Sequence, residues 1–177
     1  MPTARPRRTE RLTTERLDLV PLRAEDAASM VGVLADPALY AFTGGEPPGL
    51  EELQERFARQ VTGRSADGSQ TWHNWIVRWR ATGEPVGFVQ ATWTVATRVA
   101  DVAWLTGTSW QGRGLAAEAA TAMIDWLWRG GAAAVTAHVH PDHHASAAIA
   151  ARIGLAPTDI VEDGERLWRR DQPQPRD

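Results

Sequence analysis

The sequence predicts a single α+β domain in which helices flank a mixed, mostly antiparallel sheet. Residues 72–80 alternate between two faces, and 86–95 and 99–106 are two further strand candidates; three strands with short connections are typical of an antiparallel meander. Beyond them, a helical segment (114–129) is followed by a short apolar segment (135–139). This strand–helix–strand order predicts a parallel pair made by a right-handed crossover.

The remaining elements are predicted from periodicity and from helix-ending signals. An apolar pattern predicts a first strand near 16–22, and Asp36-Pro37 ends the helix that follows it. Leu53, Phe57 and Val61 recur at helical spacing, which indicates an amphipathic helix. We therefore expect helices at 24–35, 50–61 and 143–153, loops at 42–49 and 63–69, and a final hairpin of strands 156–161 and 166–170.

The length of 177 residues fits one compact domain. We expect this domain to span 12–170, because both ends of the chain are polar and rich in proline and arginine. Residues 1–11 are predicted to form a disordered or arm-like N-terminal tail, and 171–177 a C-terminal tail. No apolar run is long enough to predict a transmembrane helix, and the basic N-terminus has no apolar core typical of a secretory signal.

Composition excludes several kinds of chemistry. The chain has no cysteine, and all 19 basic residues are arginine. Thiolate nucleophiles, cysteine-ligated metals and Schiff-base lysines are therefore ruled out, and the cytoplasm is the expected compartment. The net charge of −3 does not indicate nucleic-acid or membrane binding. Nine tryptophans stand against one tyrosine, and tryptophan supplies rigid walls to binding sites.

The segment Trp110–Ala116 carries the strongest chemical signal. It lies between a predicted strand and a long predicted helix, and Gly112 and Gly114 allow a tight turn close to a ligand. The free N–H groups of the helix start would bind a pyrophosphate, with Arg113 adding a charge-assisted contact. The alternative is a glycine-rich turn without a ligand. A Rossmann dinucleotide site is disfavoured because the three-glycine spacing is missing.

Gln111, Gly114 and Ala116 form a Gln-x-x-Gly-x-Ala pattern that resembles the acetyl-CoA signature of the GNAT acetyltransferases. Three further segments are similar to the RimJ/RimL-like subfamily over roughly residues 12–170: 14–22, 100–119 and 141–155. The resemblance implies a GNAT fold with a splayed parallel strand pair, and acetyl-CoA as cosubstrate. It also implies backbone contacts from Leu105 and Thr106 to pantetheine, and an oxyanion contact from backbone donors near Trp104 and Leu105. The implied cofactor-binding residues are Trp104, Leu105, Thr106, Gln111, Gly112, Arg113, Gly114, Leu115, Ala116, His143 and Ser146.

The chain departs from the family pattern in two places. His143 stands where the closing motif usually has Asn. Ala150 stands where many members carry a tyrosine general acid. Ser146 matches a serine of the subfamily, so we expect it to protonate the CoA thiolate, directly or through water. The alternative is that Ser146 only stabilises its helix.

Asp101 is the candidate general base, because an attacking amine must lose a proton and this residue lies on the strand leading to the CoA site. The alternative is a solvated or salt-bridged strand residue. His138, His140, His143 and His144 are not accompanied by a carboxylate set typical of a metal site, so no metal is predicted. His138 is instead expected to take part in proton transfer or acceptor contact.

The acceptor is predicted from the aromatic and acidic residues of the meander. Trp72, Trp75, Trp79 and Trp93, with Asp101 and His138, are expected to bind a small cationic amine such as an aminoglycoside-type antibiotic, which would confer resistance. The alternative for the tryptophans is a place in the core. Protein N-terminal acetylation, as on ribosomal proteins, and a non-catalytic CoA-binding protein remain alternative functions. The sequence leaves the oligomeric state, including a homodimer, open.

Overall fold

A computed structural model describes residues 7–173. The strands are β1 (Leu12–Thr13), β2 (Leu17–Pro21), β3 (Gln70–Trp79), β4 (Pro85–Thr94), β5 (Val99–Thr106), β6 (Ala134–Val139), β7 (Ala156–Glu162) and β8 (Glu165–Asp171). The helices are α1 (Ala27–Val33), α2 (Leu50–Gln60), α3 (Leu115–Arg129) and α4 (His144–Arg152). In the described part of the chain, no helix combines the length and the apolar character that crossing a membrane requires.

The strands form one sheet in the order β1-β2-β3-β4-β5-β6-β8-β7. Strands β3 to β5 form the predicted antiparallel meander, β2 pairs antiparallel with β3, and β5 pairs with β6 in parallel across α3. The α+β class and the mixed sheet with its parallel pair are therefore confirmed. The predicted helix at 24–35 begins as a 3-10 turn at Ala24–Asp26 and ends at Val33, before Asp36-Pro37.

Each face of the sheet carries its own apolar cluster because side chains alternate along a strand. On one face, α3 and α4 cover the larger cluster, which includes Trp75, Val77, Val89, Trp93 and Val102. On the other face, α1 and α2 cover a smaller cluster, which includes Ile76 from β3. The alternation predicted for β3 is therefore confirmed, because Trp75 and Val77 lie on one face and Ile76 lies on the other.

Thr9 and Glu10, just before β1, contact residues of the face that carries the larger cluster. The indole N–H of Trp75 donates to the Glu10 carbonyl at 2.7 Å, and that of Trp126 donates to the Glu10 carboxylate at 3.1 Å. Burial lowers the pKa of His73 to about 4, and its ring is hydrogen-bonded to Thr9. Of the expected tails, 1–6 and 174–177 lie outside the described residues.

The parallel pairing of β5 and β6 is short, and this feature positions the site. It covers Val99↔Ala134, Ala100↔Val135 and Asp101↔Thr136. Beyond Asp101, β5 continues to Thr106 beside β4, while β6 continues to Val139 beside β8. The two strands therefore separate and leave a gap that opens toward the start of α3.

We predict that Gly87→Ala destabilises the protein by about 1–3 kcal/mol. A Cβ at Gly87 would lie only 2.0 Å from the Leu105 carbonyl oxygen, so β4 and β5 would have to move apart. Urea unfolding of the variant measures the loss. Gly32→Ala in α1 is the matched control, because a Cβ there meets nothing within 4 Å and alanine favours a helix. Equal stability of the wild type and Gly87→Ala would contradict the close approach.

Candidate active site

A cleft of about 700 Å³ lies where β5 and β6 separate. The ends of β5 and β6 form two of its walls, and the start of α3 and the first turns of α4 form two others. Ala38, Leu39, Phe42 and Thr43 close it from the segment before α2. The cleft therefore draws on elements from the whole length of the domain.

Peptide groups of β5 line the gap. The Arg98 carbonyl faces the β6 side, where it accepts the Ala133 N–H at 2.8 Å. The Gly107 N–H faces the other side and donates to the Val86 carbonyl on β4 at 2.8 Å. Because peptide groups alternate in direction along a strand, those of Trp104 and Thr106 point into the gap. The peptide of Leu105 points toward β4, so its expected backbone contact to pantetheine is wrong. Leu105 lines the cleft and packs against the smaller cluster.

The glycine-rich segment forms a cradle at the start of α3. Gly112 and Gly114 have positive φ angles of 76° and 75°, which favour glycine. The first helical hydrogen bond runs from the Glu118 N–H to the Gly114 carbonyl at 3.1 Å. The N–H groups of residues 115–117 therefore have no acceptor within the helix, and they lie at its positive dipole end. An anion fits this cradle.

Arginine side chains surround the cradle. A Cβ on Gly114 would lie 3.4 Å from Nη1 of Arg152 and 3.7 Å from Nη2 of Arg16. Arg152, at the end of α4, lines the cleft, whereas the guanidinium of Arg113 lies 5.0 Å from the ring centroid of Trp110. Sequence reasoning missed Arg152 as a candidate anion-binding residue. It lies 38 residues from Gly114 in the sequence, so only the packing of α4 brings the two together.

Glu118 fixes the cradle to the N-terminal part of the domain. Its carboxylate accepts hydrogen bonds from Thr14 at 2.6 Å and from the backbone and side chain of Arg16. Burial alone would raise the pKa of Glu118, but these hydrogen bonds and the Arg16 charge hold it below its usual value. Arg16 also donates to the Arg113 carbonyl at 3.0 Å. The Gly-rich turn is therefore held from the connection between β1 and β2 as well as from α3.

The expected cofactor-binding residues lie together along the cleft, with one exception. Trp104, Leu105, Thr106, Gln111, Gly112, Gly114, Leu115, Ala116, His143 and Ser146 line it. Arg113 does not line it, because its side chain lies over Trp110 and donates to the Ser109 carbonyl at 3.3 Å. Gln111 uses its amide nitrogen to donate to the Thr106 carbonyl at 3.0 Å, which satisfies one peptide group of the gap.

The start of α4 faces β5 across the cleft. The indole N–H of Trp104 donates to Oγ of Ser146 at 3.1 Å. His143 caps α4, since its Nδ1 accepts the Ser146 N–H at 3.3 Å. Burial, and then the nearby charges of His140 and His144, lower the pKa of His143, which favours the neutral ring that this cap requires. Phe42 stacks on His143 with ring centroids 4.5 Å apart. Nothing in the sequence marked Phe42 as a cleft residue, because it is a single aromatic side chain in a loop.

Asp101 and His138 lie at the edge of the cleft. Asp101 Oδ1 accepts the Thr136 hydroxyl at 2.9 Å and lies 3.2 Å from His138 Nδ1. Burial raises the pKa of Asp101, although the bonds from Thr136 and His138 oppose the shift. Asp101 does not itself line the cleft, but His138 does, and so does Ala103 on the same face of β5. The spacing of about 6–7 Å between alternate strand residues keeps the carboxylate near the cleft.

The four meander tryptophans do not form an acceptor pocket. Trp75 and Trp93 are 0% exposed and belong to the core under α3, so the expected acceptor contact is wrong for them. Trp72 lies on the opposite face of β3, and Trp79 packs beside Trp110 with ring centroids 5.5 Å apart. Among the described residues, none of the four lines the cleft. Alternation predicted which of them share a face, but not that α3 covers it.

Comparison with known proteins gave a family match. A family model described as "Acetyltransferase (GNAT) domain" matches residues 16–156. An acetyltransferase from Agrobacterium tumefaciens shares 26% identity and a TM-score of 0.75, covering 94% of this chain and 96% of its own. A search of curated proteins gave no match.

Two solved complexes share the fold at lower identity. The ribosomal-protein alpha-N-acetyltransferase RimL, in complex with coenzyme A, is 13% identical with a TM-score of 0.76, covering 92% of this chain and 98% of its own. The microcin self-immunity acetyltransferase MccE, in complex with acetyl-CoA and AMP, is 12% identical with a TM-score of 0.73, covering 89% and 93%. The separated strands, the glycine cradle and the family match agree, and the chain belongs to the GNAT acetyltransferase family.

Proposed function

We propose that this protein transfers the acetyl group of acetyl-CoA to the primary amine of a small cationic molecule, such as an aminoglycoside-type antibiotic. The observation that carries the transferase assignment is the gap between β5 and β6 with the cradle at its end. The acceptor class rests on Asp101, Glu162 and Glu165, which bring carboxylates to one edge of the cleft. Carboxylates attract a cationic amine and disfavour an anionic one.

The cleft has groups suited to the pantetheine and the pyrophosphate of CoA. The Trp104 carbonyl and the Thr106 N–H point into the gap, where they would hydrogen-bond the pantetheine amides as an added strand does. The free N–H groups of 115–117, with Arg152, suit the pyrophosphate. When bound, acetyl-CoA supplies an acetyl group activated as a thioester.

The residues around the reacting atoms have complementary roles. Asp101 removes a proton from the acceptor ammonium, directly or through water, so that the amine can attack. The Trp104 peptide N–H points into the gap and stabilises negative charge on the carbonyl oxygen. Ser146 Oγ accepts from the Trp104 indole, which leaves its own O–H free to donate a proton to the departing sulfur.

A second candidate is N-terminal acetylation of a protein. It is supported by the structural likeness to RimL, with a TM-score of 0.76. The N-terminal amine of a peptide is also cationic, so the same carboxylates would attract it. The two candidates differ in what surrounds the amine: an amino sugar in one case and a peptide chain in the other.

An acceptor panel decides between the candidates. Purified protein is incubated with acetyl-CoA and aminoglycosides, polyamines or N-terminal peptides, and the free CoA thiol is measured. We expect thiol release with small polycationic amines and acetylation of the amine by mass spectrometry. Release with peptides alone would contradict the small-molecule acceptor, and no release with any amine would favour a non-catalytic CoA-binding protein.

We predict that Arg152→Ala raises the KM for acetyl-CoA about tenfold and leaves kcat near the wild-type value. A charge-assisted hydrogen bond to phosphate is worth about 1.5–3 kcal/mol, and 1.4 kcal/mol is a factor of ten. Steady-state kinetics measure the change. Arg129→Ala removes another exposed arginine, at the far end of α3, and is the matched control. An unchanged KM for Arg152→Ala would remove this residue from the phosphate site.

We predict that Asp101→Asn lowers kcat about 100-fold or more, because an amide cannot accept the proton. Asp101 must be ionised to act and its pKa is raised, so wild-type activity falls as the pH drops through that pKa. The variant should lose this acidic limb. Asp125→Asn, on the exposed side of α3, is the control. A wild-type pH–rate profile in Asp101→Asn would exclude Asp101 as the base.

A further inference from the structure

Glu162, at the end of β7, contacts the candidate base through a histidine. Its Oε2 lies 2.9 Å from Nε2 of His138, and Nδ1 of the same ring lies 3.2 Å from Oδ1 of Asp101. The three side chains therefore form a line from the edge of the cleft to the C-terminal hairpin. We propose that Glu162 is a positioning residue, which holds His138 protonated and oriented so that it fixes the carboxylate of Asp101. This inference rests on the proposed function.

The charges around His138 favour its protonated form. It faces Asp101 on β5, Glu162 on β7 and Glu165 on β8, and Thr136 lies on the same face of its own strand. A neutral ring has one N–H, so it could donate to only one of its two carboxylate partners. Burial alone would lower the pKa of His138, but Glu162 and Asp101 raise it above its ordinary value.

The consequence concerns the geometry of Asp101. The Thr136 hydroxyl donates to Oδ1 of Asp101 at 2.9 Å, and Nδ1 of His138 lies 3.2 Å from the same oxygen, so both neighbours hold Oδ1. Oδ2 is left to take the acceptor proton. A charge-assisted hydrogen bond is stronger than a neutral one, so Asp101 is held best while His138 carries its charge. Within residues 7–173, no group of three or more His, Asp or Glu side chains has a metal-binding arrangement, so a metal does not explain the contact.

The hairpin makes this contact specific to one acidic residue. The turn Glu162-Asp163-Gly164-Glu165 carries three carboxylates, and of these only that of Glu162 is hydrogen-bonded to His138 in the described part of the chain. Asp163, with φ of 51°, stands at the tip of the turn, where asparagine is also tolerated. Asp163→Asn therefore removes a nearby charge without touching the line of contacts and is the matched control.

The experiment combines a histidine titration with kinetics on the full chain. We expect Glu162→Ala to lower the pKa of His138, measured by NMR of its ring C–H. At pH values above that lowered pKa, we expect kcat to fall about tenfold. The KM for acetyl-CoA should not change. Glu162→Gln keeps a hydrogen-bond acceptor and should recover part of the loss. Asp163→Asn should match the wild type in both measurements.

A double-mutant cycle separates positioning from a structural role. If Glu162 acts through Asp101, Glu162→Ala should cause no further loss of kcat in an Asp101→Asn background, because coupled residues are not additive. An equal loss in both backgrounds, an unchanged His138 pKa, or an unchanged kcat would overturn the inference. If no amine is acetylated, the proposed function fails, and the titration alone decides whether Glu162 holds His138: a lowered pKa supports the link and an unchanged one overturns it.

Discussion

The interruption of hydrogen bonding between β5 and β6 is the constraint on which the rest of the structure depends. A peptide group that leaves a strand ladder must find another partner or water, since a buried group without one is costly. Within the gap, Gln111 meets this need for one group by donating to the Thr106 carbonyl. On the outer edges, β4 pairs with β5, and β8 pairs with β6 along its whole length. The gap is thus kept open without unpairing the strands on their outer edges.

The same interruption explains why charged groups collect around the cleft. The crossover through α3 must start at the end of β5, so a helix N-terminus with free N–H groups lies directly at the gap. Arginines from the connection before β2 and from α4 approach that terminus, while carboxylates from β5 and β7 lie at the other end of the cleft. The cleft is therefore basic where a phosphate would bind and acidic where an amine would arrive. A chain without lysine or cysteine can supply both environments, because neither residue is needed for them.

Local sequence predicted the elements well, because each signal acts over a short distance. The period of α3, the alternation of β3 and the turn before β8 all depend on neighbouring residues, and they fold as expected. The features that were missed depend on pairs far apart in the chain. Trp75 and Trp93 are core residues because α3 covers their face of the meander, and alternation alone does not show which face is covered. The direction of the Leu105 peptide depends on the register with β4, and the contact of Arg152 with the cradle depends on how α4 packs.

Amide NMR during titration with CoA shows whether the gap between β5 and β6 and the start of α3 bind CoA through backbone N–H groups, because each of these groups reports separately. We expect the Trp104 and Thr106 amides and those of 115–117 to shift together and become protected from hydrogen exchange. Shifts confined to the face under α1 and α2, with these amides unchanged, would contradict this mode of binding.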